Sequence, residues 1–172
     1  MSKQPTQLQK IALDNFARNP PSTYADMRII AWLKLEEYFP DMDYRHQFIT
    51  VALPNEYCLS TLKKNLINLS YSYLNNALAR VENFSKSGEN LHIHILKKGN
   101  YQKSKIIRDL SRTFKVAPNF IDVVSSKSSV KYFNTLAYIK GEKKDDEKME
   151  NVMLDQKWRL DNEIDEIYYL NV

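Results

Sequence analysis

Residues 90–96 read Asn-Leu-His-Ile-His-Ile-Leu, and no other segment constrains the fold of this chain as tightly. Successive side chains of a β-strand point to opposite faces, so His92 and His94 share one face while Leu91, Ile93 and Ile95 share the other. The apolar face requires a core, and the imidazoles mark the opposite side as polar. The chain has only three histidines, and two of them form this pair. Neutral imidazoles on one strand face are a ready chelate for a divalent cation.

The preceding segment, Asn76 to Phe84, is a second strand candidate that ends in the turn-rich run Ser85-Lys86-Ser87-Gly88-Glu89. A hairpin about residue 87 sets Glu82 opposite His92 and Arg80 opposite His94, with Cβ atoms roughly 5 Å apart. Glu82, His92 and His94 then meet at one point. An oxygen-plus-imidazole set with open positions suits Mn²⁺ or Mg²⁺ held beside a phosphate. The plain alternative is a surface glutamate facing a polar strand.

Periodicity gives the rest of the outline. Helices are expected at Thr6–Arg18, Thr23–Phe39 (apolar stripe Ile29, Ile30, Leu33, Tyr38), 56–74, 102–114 and 128–140. Strands are expected at 46–53, 77–84, 90–97 and 119–125. Four or five strands interleaved with helices argue for an α+β sandwich on an antiparallel sheet. The division expected is a helical N-terminal extension over 1–44, a core over 45–144, and an apolar C-terminal helical segment over 145–172 docked on that core.

On the 128–140 helix, Lys131, Asn134, Thr135, Tyr138 and Glu142 lie on a polar stripe, away from Val130, Phe133, Leu136 and Ala137. A tyrosine so placed is a candidate nucleophile for a phosphodiester. The chemistry needs stabilisation of the developing phenolate and neutralisation of charge at phosphorus. The plain reading is that Tyr138, one of eleven tyrosines, merely packs. Tyr132, on the same helix, is its rival.

Taken in order, these pieces resemble the HUH endonuclease domain of rolling-circle replication initiators, the Rep proteins of small circular single-stranded DNA viruses and some plasmids. Phe48-Ile49-Thr50-Val51-Ala52-Leu53-Pro54 is similar to the family's first motif. His92-Ile93-His94 corresponds to the second, with Glu82 as the upstream acidic ligand, and Tyr138-Ile139-Lys140-Gly141-Glu142 to the third. The resemblance covers about residues 45–144. It implies a ferredoxin-like or RNA-recognition-like five-stranded sheet with the histidines in a central strand. It implies a nicking and joining endonuclease that acts through a 5′-phosphotyrosyl intermediate. Catalytic roles would fall to Tyr138, Glu142 and Lys140, and metal ligation to Glu82, His92 and His94. The partners implied are Mn²⁺ or Mg²⁺, a single-stranded DNA origin (in some members a hairpin loop), and a host or separate helicase. Location follows the source, the host nucleus for a eukaryotic virus and the cytoplasm for a phage or plasmid. One departure stands out: the family's lysine three residues after the tyrosine is Gly141 here. Lys140 sits about 200° around the helix from Tyr138, so Lys140, Lys143 and Lys131 compete for the phosphate contact.

Net charge is +4, which permits a polyanionic partner without requiring one. Cations cluster after the histidine strand while acids gather from Glu142 to Glu166. Arg80, Lys97, Lys98 and Lys131 are the expected DNA contacts, against the alternative of solvated helix faces. The lone Cys58, expected within a helix as an inert thiol, excludes an internal disulfide. No apolar run reaches the roughly 20 residues of a membrane span, no signal peptide is visible, and no Walker loop marks an ATPase, so an intracellular, soluble protein is expected. A second functional class remains open, a non-catalytic single-stranded nucleic-acid binder on the same sheet. A third is a relaxase or transposase of the same superfamily.

Overall fold

The computed structural model describes residues 4–19, 21, 23–38, 44–141 and 146–172. Its centre is a five-stranded antiparallel sheet made of β1 (His46–Ala52), β2 (Ala77–Ser85), β3 (Gly88–Lys98), β4 (Ile121–Ser126) and β5 (Tyr168–Leu170). The spatial order is β4-β1-β3-β2-β5, so the histidine strand is the middle one. The expected α+β class is therefore observed.

Alternation splits the sheet into two unlike faces. Ile49, Val51, Ala79, Val81, Ile93 and Ile95 form the main core with α3 (Leu59–Ile67) and α4 (Lys103–Phe114), through Leu62, Leu66, Ile106, Leu110 and Phe114. The opposite face carries Thr50, Arg80, Glu82, His92 and His94, and lies beneath α5 (Ser129–Ile139) and α6 (Asp146–Asp161).

The N-terminal helices α1 (Gln7–Arg18) and α2 (Tyr24–Leu33) open with capping boxes, Thr6 with Gln9 and Thr23 with Asp26. Neither joins the sheet. Their apolar residues Phe16 and Ile30, with Leu35 just after α2, build a second core with Tyr44 and with Phe133 of α5. The extension thus braces the helix that carries Tyr138.

Several boundaries differ from expectation. α2 ends at Leu33, because Lys34 turns left-handed at φ 52° and a 3-10 turn follows at Leu35–Tyr38; Phe39 lies outside the described residues. The helix expected at 56–74 is α3 plus a separate 3-10 turn at Ser72–Leu74. Leu69 stays in the core although helical spacing is interrupted. Cys58 is not inside the helix but at the N-cap of α3 and exposed. Hydrogen bonds from Ser60 and Thr61 lower its thiol to about 7. The C-terminal segment is not purely helical. It supplies β5, which pairs with Ala77–Ala79 of β2 and completes the sheet.

Candidate metal centre

The β2–β3 hairpin turns tightly at Lys86-Ser87, and Gly88 takes φ +105°, a conformation that suits glycine. That turn pairs Ser85 with Gly88 and Phe84 with Glu89. Continued without interruption, the same register would place Glu82 against Leu91, on the wrong face. A bulge between Glu82 and Phe84 takes up one extra residue of β3, so Glu82 pairs with His92 and Arg80 with His94. The bulge is what brings the acid onto the imidazole face.

Glu82, His92 and His94 are all buried, and one candidate ligand atom from each lies within 4.8 Å of the others. The Oε2 of Glu82 is 3.3 Å from Nε2 of His92 and 3.7 Å from Nε2 of His94. Each ring is oriented from behind. Nδ1 of His92 meets the Asn90 carbonyl, and Nδ1 of His94 lies 3.1 Å from Oγ1 of Thr50. With Nδ1–H donated outward, both Nε2 lone pairs converge on the carboxylate, the arrangement a divalent ion requires. Burial pulls the His92 pKa down, but the Glu82 carboxylate and the Asn90 carbonyl outweigh it, and the net shift is upward. These donors fit a metal ion.

Tyr138 belongs to the same site. It lines a cavity of about 500 Å³ together with Glu82, His92, His94 and Thr50, and with Asn151 of α6. Its ring centroid is 5.6 Å from that of His94 and 6.3 Å from that of Phe48. Burial, then the negative charge of Glu82 and Asp155, pushes its hydroxyl up to about 12, with Arg80 opposing. Tyr132 points elsewhere. It packs on His46 at 5.3 Å and on Tyr44 at 6.2 Å, beneath Lys98 Nζ at 5.7 Å.

The expected DNA contacts separate into two pairs. Arg80 is 1% exposed and spent inside the protein: Nε is 3.7 Å from Oε1 of Glu82, and Nη1 donates to the Ile139 carbonyl. Lys97 is also buried, donating to Oε1 of Gln47 and the carbonyl of Lys98. Neither presents its charge to solvent, which corrects the expectation for both. An odd-numbered β3 residue such as Lys97 falls on the core face, and Arg80 is covered by the end of α5. Lys98 and Lys131 are exposed. Lys131 lines a smaller cleft with His46, Phe48 and Asn134, on the same side of the sheet as the triad.

Of the residues expected after Tyr138, Lys140 is exposed at the C-cap of α5, while Glu142 and Lys143 lie outside the described residues. Gly141 stands where the resemblance implies a lysine. It takes φ +92°, and a Cβ there would stand 2.9 Å from Nη2 of Arg80. A cation does sit beside this turn, but it comes from β2.

Two residues of α6 escaped the sequence reading. Oδ1 of Asp155 accepts from the backbone N–H groups of Asn83 and Phe84, at 2.6 and 3.2 Å, and Nη1 of Arg159 donates to the Val81 carbonyl at 2.9 Å. Beyond the short β5, these side chains satisfy the outer edge of β2 in place of a strand. Nothing in the charge-rich sequence of α6 marks them, since Asp and Arg four apart read as a solvated helix pair.

Among the described residues, no helix is long and apolar enough to cross a membrane. No protein-family model matches the chain, and neither a curated protein nor a solved structure matches it significantly.

Proposed function

We propose that this chain is a metal-dependent single-stranded DNA nicking and joining enzyme of the HUH replication-initiator kind. The observation that carries the reading is the convergence of Tyr138 with Glu82, His92 and His94 on one cavity, while the rival Tyr132 faces away. Mn²⁺ or Mg²⁺, held by the carboxylate and the two imidazoles, would polarise a scissile phosphate and neutralise charge developing on it.

The chain's own groups supply the remainder. Tyr138 Oη attacks phosphorus, the bond to the 3′ oxygen breaks, and the phenol's proton ends on the released 3′ hydroxyl. The 5′ phosphate stays esterified to the tyrosine, so the bond energy is conserved and no ATP is consumed. Attack by an incoming 3′ hydroxyl reverses the step and reseals the strand. Phe48, stacked on His94 at 4.9 Å, walls the cavity toward the cleft with exposed Lys131, a path by which the strand can leave the site.

The test is a denaturing gel of a labelled pool of random-sequence single-stranded oligonucleotides incubated with Mn²⁺. Wild type and Tyr132→Phe should give cleavage and a covalent protein–DNA adduct. Tyr138→Phe should give neither, with folding and Mn²⁺ binding retained. An adduct that survives Tyr138→Phe refutes the assignment of the nucleophile, and no adduct from wild type refutes the activity.

A further inference from the structure

The opposite side of the molecule carries a second polar assembly that the proposed chemistry does not use. Buried Gln47, on the core face of β1, clamps the loop after β3 at Asn100 and Tyr101. Its Oε1 accepts from the Tyr101 N–H at 3.0 Å and its Nε2 donates to the Tyr101 carbonyl at 2.9 Å. Lys97 holds the same Gln47 oxygen at 3.2 Å. A buried amide and a buried ammonium are costly unless hydrogen-bonded, and the bonds made here hold the backbone under one aromatic ring.

That ring ends a stack. Tyr101 lies against Tyr73 with centroids 4.5 Å apart and planes at 16°, and Tyr73 lies against Tyr71 at 5.4 Å and 9°. Tyr71 and Tyr73 are anchored to α4, their hydroxyls donating to the Asp109 carbonyl and to Oδ2 of Asp109, both at 3.2 Å. Tyr101, at the free end, is 38% exposed.

Beside the stack runs a cationic ridge. Lys105, Arg108 and Arg112 fall within about 60° of one another around α4, on the side away from buried Ile106, Leu110 and Phe114. All three are exposed. Asp109, the one acid in α4, is turned toward the tyrosines and pairs with Arg108 at 3.3 Å. The neighbouring α3 adds Lys63 and Lys64 and no acid.

We infer that Tyr101 and the Lys105–Arg108–Arg112 ridge form a second binding surface for single-stranded nucleic acid, on the face of the sheet opposite the metal centre. The ridge follows the phosphate backbone, and an unpaired base extends the tyrosine stack on the exposed face of Tyr101. An acidic peptide would answer to the charges alone and would be indifferent to the ring. A duplex offers no free base face. The inference stands apart from the nicking reaction, since neither the ring nor the ridge touches the triad.

The test measures fluorescence anisotropy of labelled oligothymidylate, oligouridylate and a DNA duplex with wild-type protein in EDTA, across a salt series. No metal is present, so the result does not depend on cleavage. A failed nicking assay would leave it untouched. Tyr101→Ala should weaken binding of the single strands at least about fivefold, and Tyr101→Phe should restore it. Arg108→Gln with Arg112→Gln, both on the exposed ridge, should lower the slope of log affinity against log salt by about 1.4, two phosphate contacts at about 0.7 each. The oligothymidylate and oligouridylate arms identify which sugar is preferred. Wild-type affinity in Tyr101→Ala, an unchanged salt slope in the double variant, or tighter binding of duplex than of either single strand would each overturn the inference.

Discussion

Oγ1 of Thr50 lies 3.1 Å from Nδ1 of His94 across the β1–β3 pair, while Nε2 of the same ring faces Glu82 at 3.7 Å. With Nδ1–H donated to the hydroxyl, the Nε2 lone pair is left for a metal ion. Thr50→Val keeps the shape of the side chain and removes the acceptor. The expected outcome is a loss of Mn²⁺ affinity of about 10- to 100-fold, read by calorimetry, with melting temperature close to wild type. Affinity equal to wild type would mean that the tautomer is set some other way.

Strict alternation made the essential half of this site legible in the sequence. His92 and His94 had to share a face, the turn run at 85–89 had to reverse the chain, and together these named Glu82 as the third member. The bulge was not legible, because a hairpin centred on residue 87 gives the Glu82–His92 pairing without one, whereas the tighter turn at Lys86-Ser87 needs one extra residue of β3 to reach it. What else lay hidden came from distant segments. Arg80 and Lys97 look like surface cations in a strand, and only the covering helix and the Gln47 clamp show that they are interior. Asp155 and Arg159 belong to a segment with weak amphipathic character, where periodicity carries no signal about which charges turn inward. The fifth strand is three residues long, too short for alternation to reveal.

Gly141 and Arg80 are packed so closely that the glycine is a condition of the arginine's position. An alanine there combines a left-handed backbone with a Cβ 2.9 Å from Nη2 of Arg80. Gly141→Ala should destabilise the fold by about 1–3 kcal/mol. Because Arg80 holds Oε1 of Glu82, it should also weaken Mn²⁺ binding. Thermal melting and calorimetry on one preparation test both effects. A stable variant with undiminished Mn²⁺ affinity would show that the guanidinium can move without disturbing the carboxylate.

Asp155 pins the bulge on which the triad depends. Its buried carboxylate accepts from the two successive N–H groups of Asn83 and Phe84, at the place where the β2–β3 register shifts by one residue. Without that acceptor two buried donors lose their partner, and the register that continues directly from the tight turn becomes competitive. In that register Glu82 leaves the imidazole face. Asp155→Ala should therefore cost about 1.5–3 kcal/mol, the scale of hydrogen bonds to a charged group, and should lower Mn²⁺ affinity more than Thr50→Val does. Asp155→Asn retains one acceptor oxygen and should fall between the wild type and the alanine variant. Hydrogen exchange at the Asn83 and Phe84 amides gives the direct readout, with protection lost in the alanine variant while the amides of β1 remain protected. If Asp155→Ala loses stability but binds Mn²⁺ as tightly as the wild type, the bulge is held by the β2–β3 pairing itself and α6 serves only to cover the edge.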